Sequence, residues 1–176
     1  MEDNSNQQSS EKSGVGDFAY VTQVATPSGE ASVTTLQEGS PVLAYSAKLE
    51  SGRIILTASE AKVRSINTVY DPVVIGNMVY IYFEQNNNCL ICSYNQPLLL
   101  SDGSYVIARN FQPGHCLVDK DGSPVTVAAT VIAAYENGEI YSIATDMPIT
   151  AGPDGHLLLC QGVIVGDFIF EADFPY

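Results

Sequence analysis

Four cysteines and two histidines supply the conventional reactive side chains, in three groups: Cys89-x-x-Cys92, His115-Cys116 and His156-x-x-x-Cys160. Together they hold enough ligands for a tetrahedral zinc site. The spacing works against it. Cys89-Leu90-Ile91-Cys92 reads as an apolar strand, in which residues three apart point to opposite faces. A redox Cys-x-x-Cys opens a helix whose N-terminus lowers the thiol pKa, and here Pro97 and another strand follow instead. Nucleophilic catalysis by His115 with Cys116 meets the same alternation, because strand neighbours face opposite ways. Cys160, paired in spacing with His156, lies among leucines. The expected roles are small buried thiols and a turn histidine, with Cys89, Cys92, His115 and Cys116 the less favoured metal set and no cofactor.

Two carboxylates stand out by context. Asp17 and Asp167 each lie in the phrase Val-Gly-Asp-Phe, at Val15–Phe18 and Val165–Phe168. Brought together, such a pair shares a proton or holds a cation. Kept apart, each is a turn residue beside a glycine, and that reading is preferred. A further polar run, Ser93-Tyr94-Asn95-Gln96, stands just ahead of Pro97 and an apolar stretch.

The elements that position these residues are strands. Short runs rich in apolar and β-branched residues alternate with turns throughout, as at Met78–Phe83, Cys89–Cys92, Ile140–Ile143, Leu157–Cys160 and Val163–Val165. Arg53–Thr57 and Lys62–Ile66 read as separate strands, with the only hint of a helical turn at Ser59–Ala61. Asn86–Asn88 is expected to turn Met78–Phe83 into a hairpin with Cys89–Cys92. Asn137-Gly138 carries the strongest hairpin signal, because both residues tolerate positive φ, and is expected to join Val131–Tyr135 to Ile140–Ile143. The fold class is all-β. Residues 1–14 are polar and aperiodic and are expected to be a disordered leader, with one domain over 15–176.

Seven basic and twenty acidic residues give a net charge of −13, which disfavours nucleic acid and anionic membrane surfaces as partners. The N-terminus lacks the basic and apolar regions of a signal peptide, and no apolar run approaches the ~20 residues of a membrane span. A cytoplasmic location is the default expectation.

One phrase occurs twice. Leu36-Gln37-Glu38-Gly39-x-x-Val42-Leu43 returns 75 residues later as Phe111-Gln112-Pro113-Gly114-x-x-Leu117-Val118. An internal strand–turn–strand duplication of this kind points to a pseudo-two-fold β domain. Thr26–Gly29, Leu36–Tyr45, Pro97–Gly103, Phe111–Gly114, Asp121-Gly122, Ile140–Ile143 and Gly162–Val165 follow in an order that resembles the Hint domain of hedgehog autoprocessing domains and inteins.

The resemblance implies a flat pseudo-two-fold β horseshoe whose chain ends meet at the active centre. Active members put a nucleophilic Cys or Ser at the head of the first strand and a Thr-x-x-His phrase before the central strand. Splicing members end in His-Asn, and the Asn side chain cyclises to cut the downstream bond. Here the corresponding positions read Asp17, Ser93-Tyr94-Asn95-Gln96 and Gly166-Asp167, followed by Phe168.

Each departure removes a chemical function. A carboxylate attacking the Gly16 carbonyl would form an anhydride, whereas an acyl shift needs a thiol or hydroxyl. Gln96 hydrogen-bonds but supplies no proton near neutral pH. An ionised Asp cyclises far less readily than an amide. The expectation is a catalytically inactive Hint-like scaffold that binds a protein or peptide, with Asp17, Ser93, Gln96, Gly166 and Asp167 as its relic cleft. The alternative is an autoprocessing enzyme that uses these non-standard residues.

Overall fold

An antiparallel sheet of fourteen strands organises the chain in the computed structural model, which describes residues 18–70, 75–85, 88–136 and 138–173. The first half comprises β1 (Phe18–Ala19), β2 (Gln23–Thr26), β3 (Gly29–Ser32), β4 (Pro41–Glu50), β5 (Arg53–Val69), β6 (Asn77–Phe83) and β7 (Cys89–Cys92). The second comprises β8 (Pro97–Leu99), β9 (Tyr105–Ile107), β10 (Cys116–Val118), β11 (Pro124–Ala134), β12 (Ile140–Thr145), β13 (Leu157–Cys160) and β14 (Val163–Gly166). A short helix, α1 (Phe168–Ala172), follows. The spatial order is β10-β11-β6-β7-β1-β12-β5-β4-β13-β14-β8-β9, with β2 attached to β13 and β3 to β2.

The duplicated phrase is a duplicated structure. In the first copy Thr22 N–H donates to Ala19, Val33 N–H to Thr22, and Leu36 N–H to Val33. In the second, Gln96 N–H donates to Ser93, Ala108 N–H to Gln96, and Phe111 N–H to Ala108. Even the turn side chains correspond: Ser40 Oγ accepts from Gln37 N–H at 3.0 Å, and His115 Nδ1 accepts from Gln112 N–H at 3.1 Å. Gly39 and Gly114 end these phrases at φ +85° and +95°, a region glycine enters without a Cβ penalty. By this correspondence Phe18 matches Cys92, and the two are cross-strand partners. A residue paired with its own equivalent lies on the axis, so the pseudo-two-fold passes between β1 and β7.

Both copies feed one core. Val24 and Leu98, Val33 and Ala108, and Val42 and Leu117 are equivalent pairs, all buried in the same apolar cluster with Phe18, Cys92, Leu158 and Val165.

Three local expectations are corrected. Arg53–Thr57 and Lys62–Ile66 are one strand, because no Gly or Pro interrupts residues 53–69 and β4 pairs with β5 continuously from Pro41↔Lys62 to Glu50↔Arg53. Ser59–Ala61 is therefore extended rather than helical; cross-strand pairing overrides the local signal. Asn137 lies outside the described residues, but the strands on either side of it do not pair with each other: β11 pairs with β6 and β10, while β12 pairs with β5 and β1. Burial decides this. Every residue of β12 is buried, and the strand sits between β1 and β5, whereas β11 is largely exposed. The β6–β7 hairpin forms as expected, from Val79↔Cys92 to Tyr82↔Cys89, although Asn86 and Asn87 lie outside the described residues.

Candidate functional site

The β13–β14 hairpin brings its two flanks together. Leu157 pairs with Gly166, so the residues just beyond that pair, His156 and Asp167, are neighbours, and Asp167 N–H donates to the His156 carbonyl at 2.8 Å. Both side chains are fully buried. Asp167 Oδ2 lies 2.9 Å from His156 Nδ1 and accepts from Thr145 N–H at 2.9 Å. Thr145 Oγ1, 3.0 Å from Asp167 Oδ2 and 2.8 Å from the Gly155 carbonyl, donates its single proton to one of them. Oδ1 accepts from Phe170 N–H at 3.0 Å, so Asp167 is also the N-cap of α1.

The hydrogen bond to Asp167 holds the His156 pKa above its ordinary value, although burial and the Arg64 charge pull the other way. The arrangement is a buried histidine–carboxylate pair, in which removing either partner leaves the other buried without its hydrogen bond.

Gln96 reaches the same hairpin from the opposite side. It is fully buried at the head of β8, with Nε2 donating to the Gly166 carbonyl at 2.7 Å. Its backbone is held by the turn from Ser93 and by Ala108 N–H. Gly166 itself has no room for a side chain: a Cβ there would lie 2.7 Å from Phe170 Cδ1 and 3.2 Å from both Cβ and Cγ of Pro97. Phe170 in turn packs edge-on against Tyr105, with ring centroids 5.1 Å apart.

Three of the five anticipated cleft residues, Gln96, Gly166 and Asp167, are thus in one place. Ser93 is buried at the start of the turn that positions Gln96. Asp17 lies outside the described residues, and its neighbour Phe18 pairs with Cys92 and Tyr141. The preferred view of Asp167 as a plain turn residue falls short, since its carboxylate joins β12, β13 and α1.

Sequence reasoning weighed His156 only beside Cys160, as a metal ligand or catalytic partner, and set that pairing aside in favour of buried thiols and a turn histidine; the structure sets it beside Asp167. A hairpin centred on Gln161-Gly162 sets His156 opposite Asp167, and that register was available from the turn alone. Thr145 carried no such signal. Nor did α1, which is too short for periodicity; an Asp ahead of an apolar run was its only mark.

Cys160 and Cys92 are buried in the main apolar cluster, where burial pushes both thiols up. Cys89 and Cys116 are half-buried, and His115 sits in its turn against the edge of Phe111. Among the described residues, no three His, Cys, Asp or Glu side chains gather into a set that could hold a metal. Nor is any described helix long and apolar enough to cross a membrane.

Beside the hairpin, a cleft of about 550 Å³ is lined by Tyr105, Ile149, Thr150, Pro153, His156 and Phe170, among others. Ile169, Phe170 and Asp173 bring α1 and its C-terminal end into the lining.

No family model matches the chain, and no curated protein matches it in sequence. Solved structures do. A bacterial intein-like domain from Clostridium thermocellum is 17% identical with a TM-score of 0.67, covering 86% of this chain and 98% of that one. The gp41-1 intein is 17% identical with a TM-score of 0.63, covering 88% and 100%. A DnaB intein from Synechocystis sp. is 15% identical with a TM-score of 0.61, covering 86% and 98%. At such identities the likeness establishes the fold and nothing finer.

Proposed function

This chain has the intein-like Hint fold, and we propose that it is a catalytically inactive member whose horseshoe serves as a protein- or peptide-binding scaffold, working in the cytoplasm. The observation that carries the reading is the packing at Gly166. Where the resemblance calls for a side chain that assists cleavage, the Phe170 ring and Pro97 occupy the space. The segment after Asp167, which a splicing member would release, is here a helix capped by Asp167 and anchored by Phe170 on Tyr105.

The remaining polar groups favour holding over cutting. Gln96 donates to the Gly166 carbonyl but has no proton to give to a leaving nitrogen. The Asp167 carboxylate is engaged on both oxygens by donors, which opposes the rotation needed to approach its own carbonyl.

The cleft over α1 offers a peptide an apolar floor of Ile149, Pro153 and Phe170. Selection from a displayed peptide library, with contacts mapped by amide chemical shifts, tests the binding half of the reading. Enriched peptides are expected to shift residues 149–153 and α1; a library that yields none, or shifts confined elsewhere, sinks it.

A second reading, residual autoprocessing, draws on the His156–Asp167 pair. A buried acid–base couple adjoins the Asp167–Phe168 bond. Cleavage there would release residues 168–176, a loss that intact mass resolves.

A further inference from the structure

Strand β11 leaves part of one margin of the sheet open. Its inner side pairs with β6 from Val127 to Ala134, while its outer side pairs with β10 only over Pro124–Thr126. Past Thr126, no strand among the described residues lies on that outer side. Natural edges of this kind carry lysine, proline or a bulge that keeps other strands away. Here Pro124 and the irregularity between Val127 and Ala129 guard one end alone. From Ala129 to Tyr135 there is no charged residue, in a chain with a net charge of −13. Val131 and Ile132 are 46% and 53% exposed, and Tyr82 on the adjoining strand is 41% exposed.

We propose that this edge pairs with the same edge of a second copy of the chain, antiparallel and two-fold, centred on Val131. The inference does not rest on the binding role above. The stretch is self-complementary: reversing it sets Ala129 opposite Ala133 and Thr130 opposite Ile132, with each copy's Val131 facing the other. Small residues meet small and β-branched meet β-branched, as an isologous interface requires. Charge also favours a second copy over another strand. Two chains of −13 repel wherever their carboxylates meet, and this stripe has none. A basic partner, which the rest of the surface attracts, gains nothing from a charge-free edge.

The pairing is short, because β10 blocks the edge at Thr126, so the dimer is weak. Added salt strengthens it by screening the repulsion between the two acidic bodies. Sedimentation equilibrium of the full chain over a range of concentrations, at low and high salt, reads this directly.

The wild type is expected to show a monomer–dimer equilibrium that shifts toward dimer with salt. Val131→Glu and Val131→Lys each place like charges face to face and are expected to weaken the dimer on the order of tenfold or more. An equimolar mixture of the two variants is expected to recover it, which a misfolded variant would not do. A wild type that is monomeric at every concentration overturns the proposal, whatever strand is later found to bind there. So does a dimer that survives both substitutions, or a mixture that stays monomeric while the wild type dimerises.

Discussion

The Gln96 side chain donates a hydrogen bond of 2.7 Å to the carbonyl oxygen of Gly166, tying the head of one duplicated unit to the end of the hairpin that carries Asp167. Around that bond everything is tight. Gly166→Ala places a methyl group 2.7 Å from the Phe170 ring and 3.2 Å from Pro97, and is expected to cost about 1–3 kcal/mol in chemical denaturation. Combining it with Phe170→Leu relieves the nearer contact, so the double variant is expected to lose less than the sum of the singles. Strict additivity would show that the ring does not exclude a side chain at position 166.

Asp167→Asn tests what the carboxylate holds. Whichever way the amide is turned, its NH₂ meets a donor: Phe170 N–H on one side, or Thr145 N–H and His156 on the other. A buried donor left without an acceptor costs about 1–3 kcal/mol, and the midpoint of urea unfolding should fall accordingly. Unchanged stability would mean that the carboxylate is no more than a polar plug.

The pH dependence follows from His156. Its folded pKa is raised above the model-peptide value of 6.5, chiefly by Asp167. The stabilisation this gives is complete below that value and is lost as pH rises through the folded pKa. The stability difference between the wild type and His156→Gln is expected to narrow as pH is raised from about 6 to 9. A difference that is flat or widens over that range contradicts a charged pair.

Thiol labelling separates the cysteines. Cys92 and Cys160 are fully buried, with thiols pushed up by burial, so neither offers a thiolate at neutral pH. Cys89 and Cys116, half-buried, are expected to react first with an aromatic disulfide in the native protein. Rapid native labelling of Cys92 would place a reactive thiol on the pseudo-two-fold axis and weaken the scaffold reading.

Much of this architecture was legible in the residues. Turn glycines and the repeated Leu36–Leu43 and Phe111–Val118 phrases are local features, and they gave the all-β class and the pseudo-two-fold. Gln96, Gly166 and Asp167 were singled out through the resemblance, and the structure brings the three together at one end of the β13–β14 hairpin. What stayed hidden was long-range. Ser59–Ala61 looks helical by itself and is extended only because β4 lies alongside it. Asn137-Gly138 permits a hairpin, but the burial of β12 between β1 and β5 sends the two strands apart. Thr145 reaches Asp167 across the sheet, and no spacing along the chain announces that contact.

Intact mass tests the central claim most directly. Purified chain, held for days at neutral pH with and without added thiol, is predicted to remain a single species at 18.9 kDa. A fragment ending at Asp167, or any species that thiol makes appear, would contradict the inactive-scaffold account and show that the Hint fold here still breaks a peptide bond.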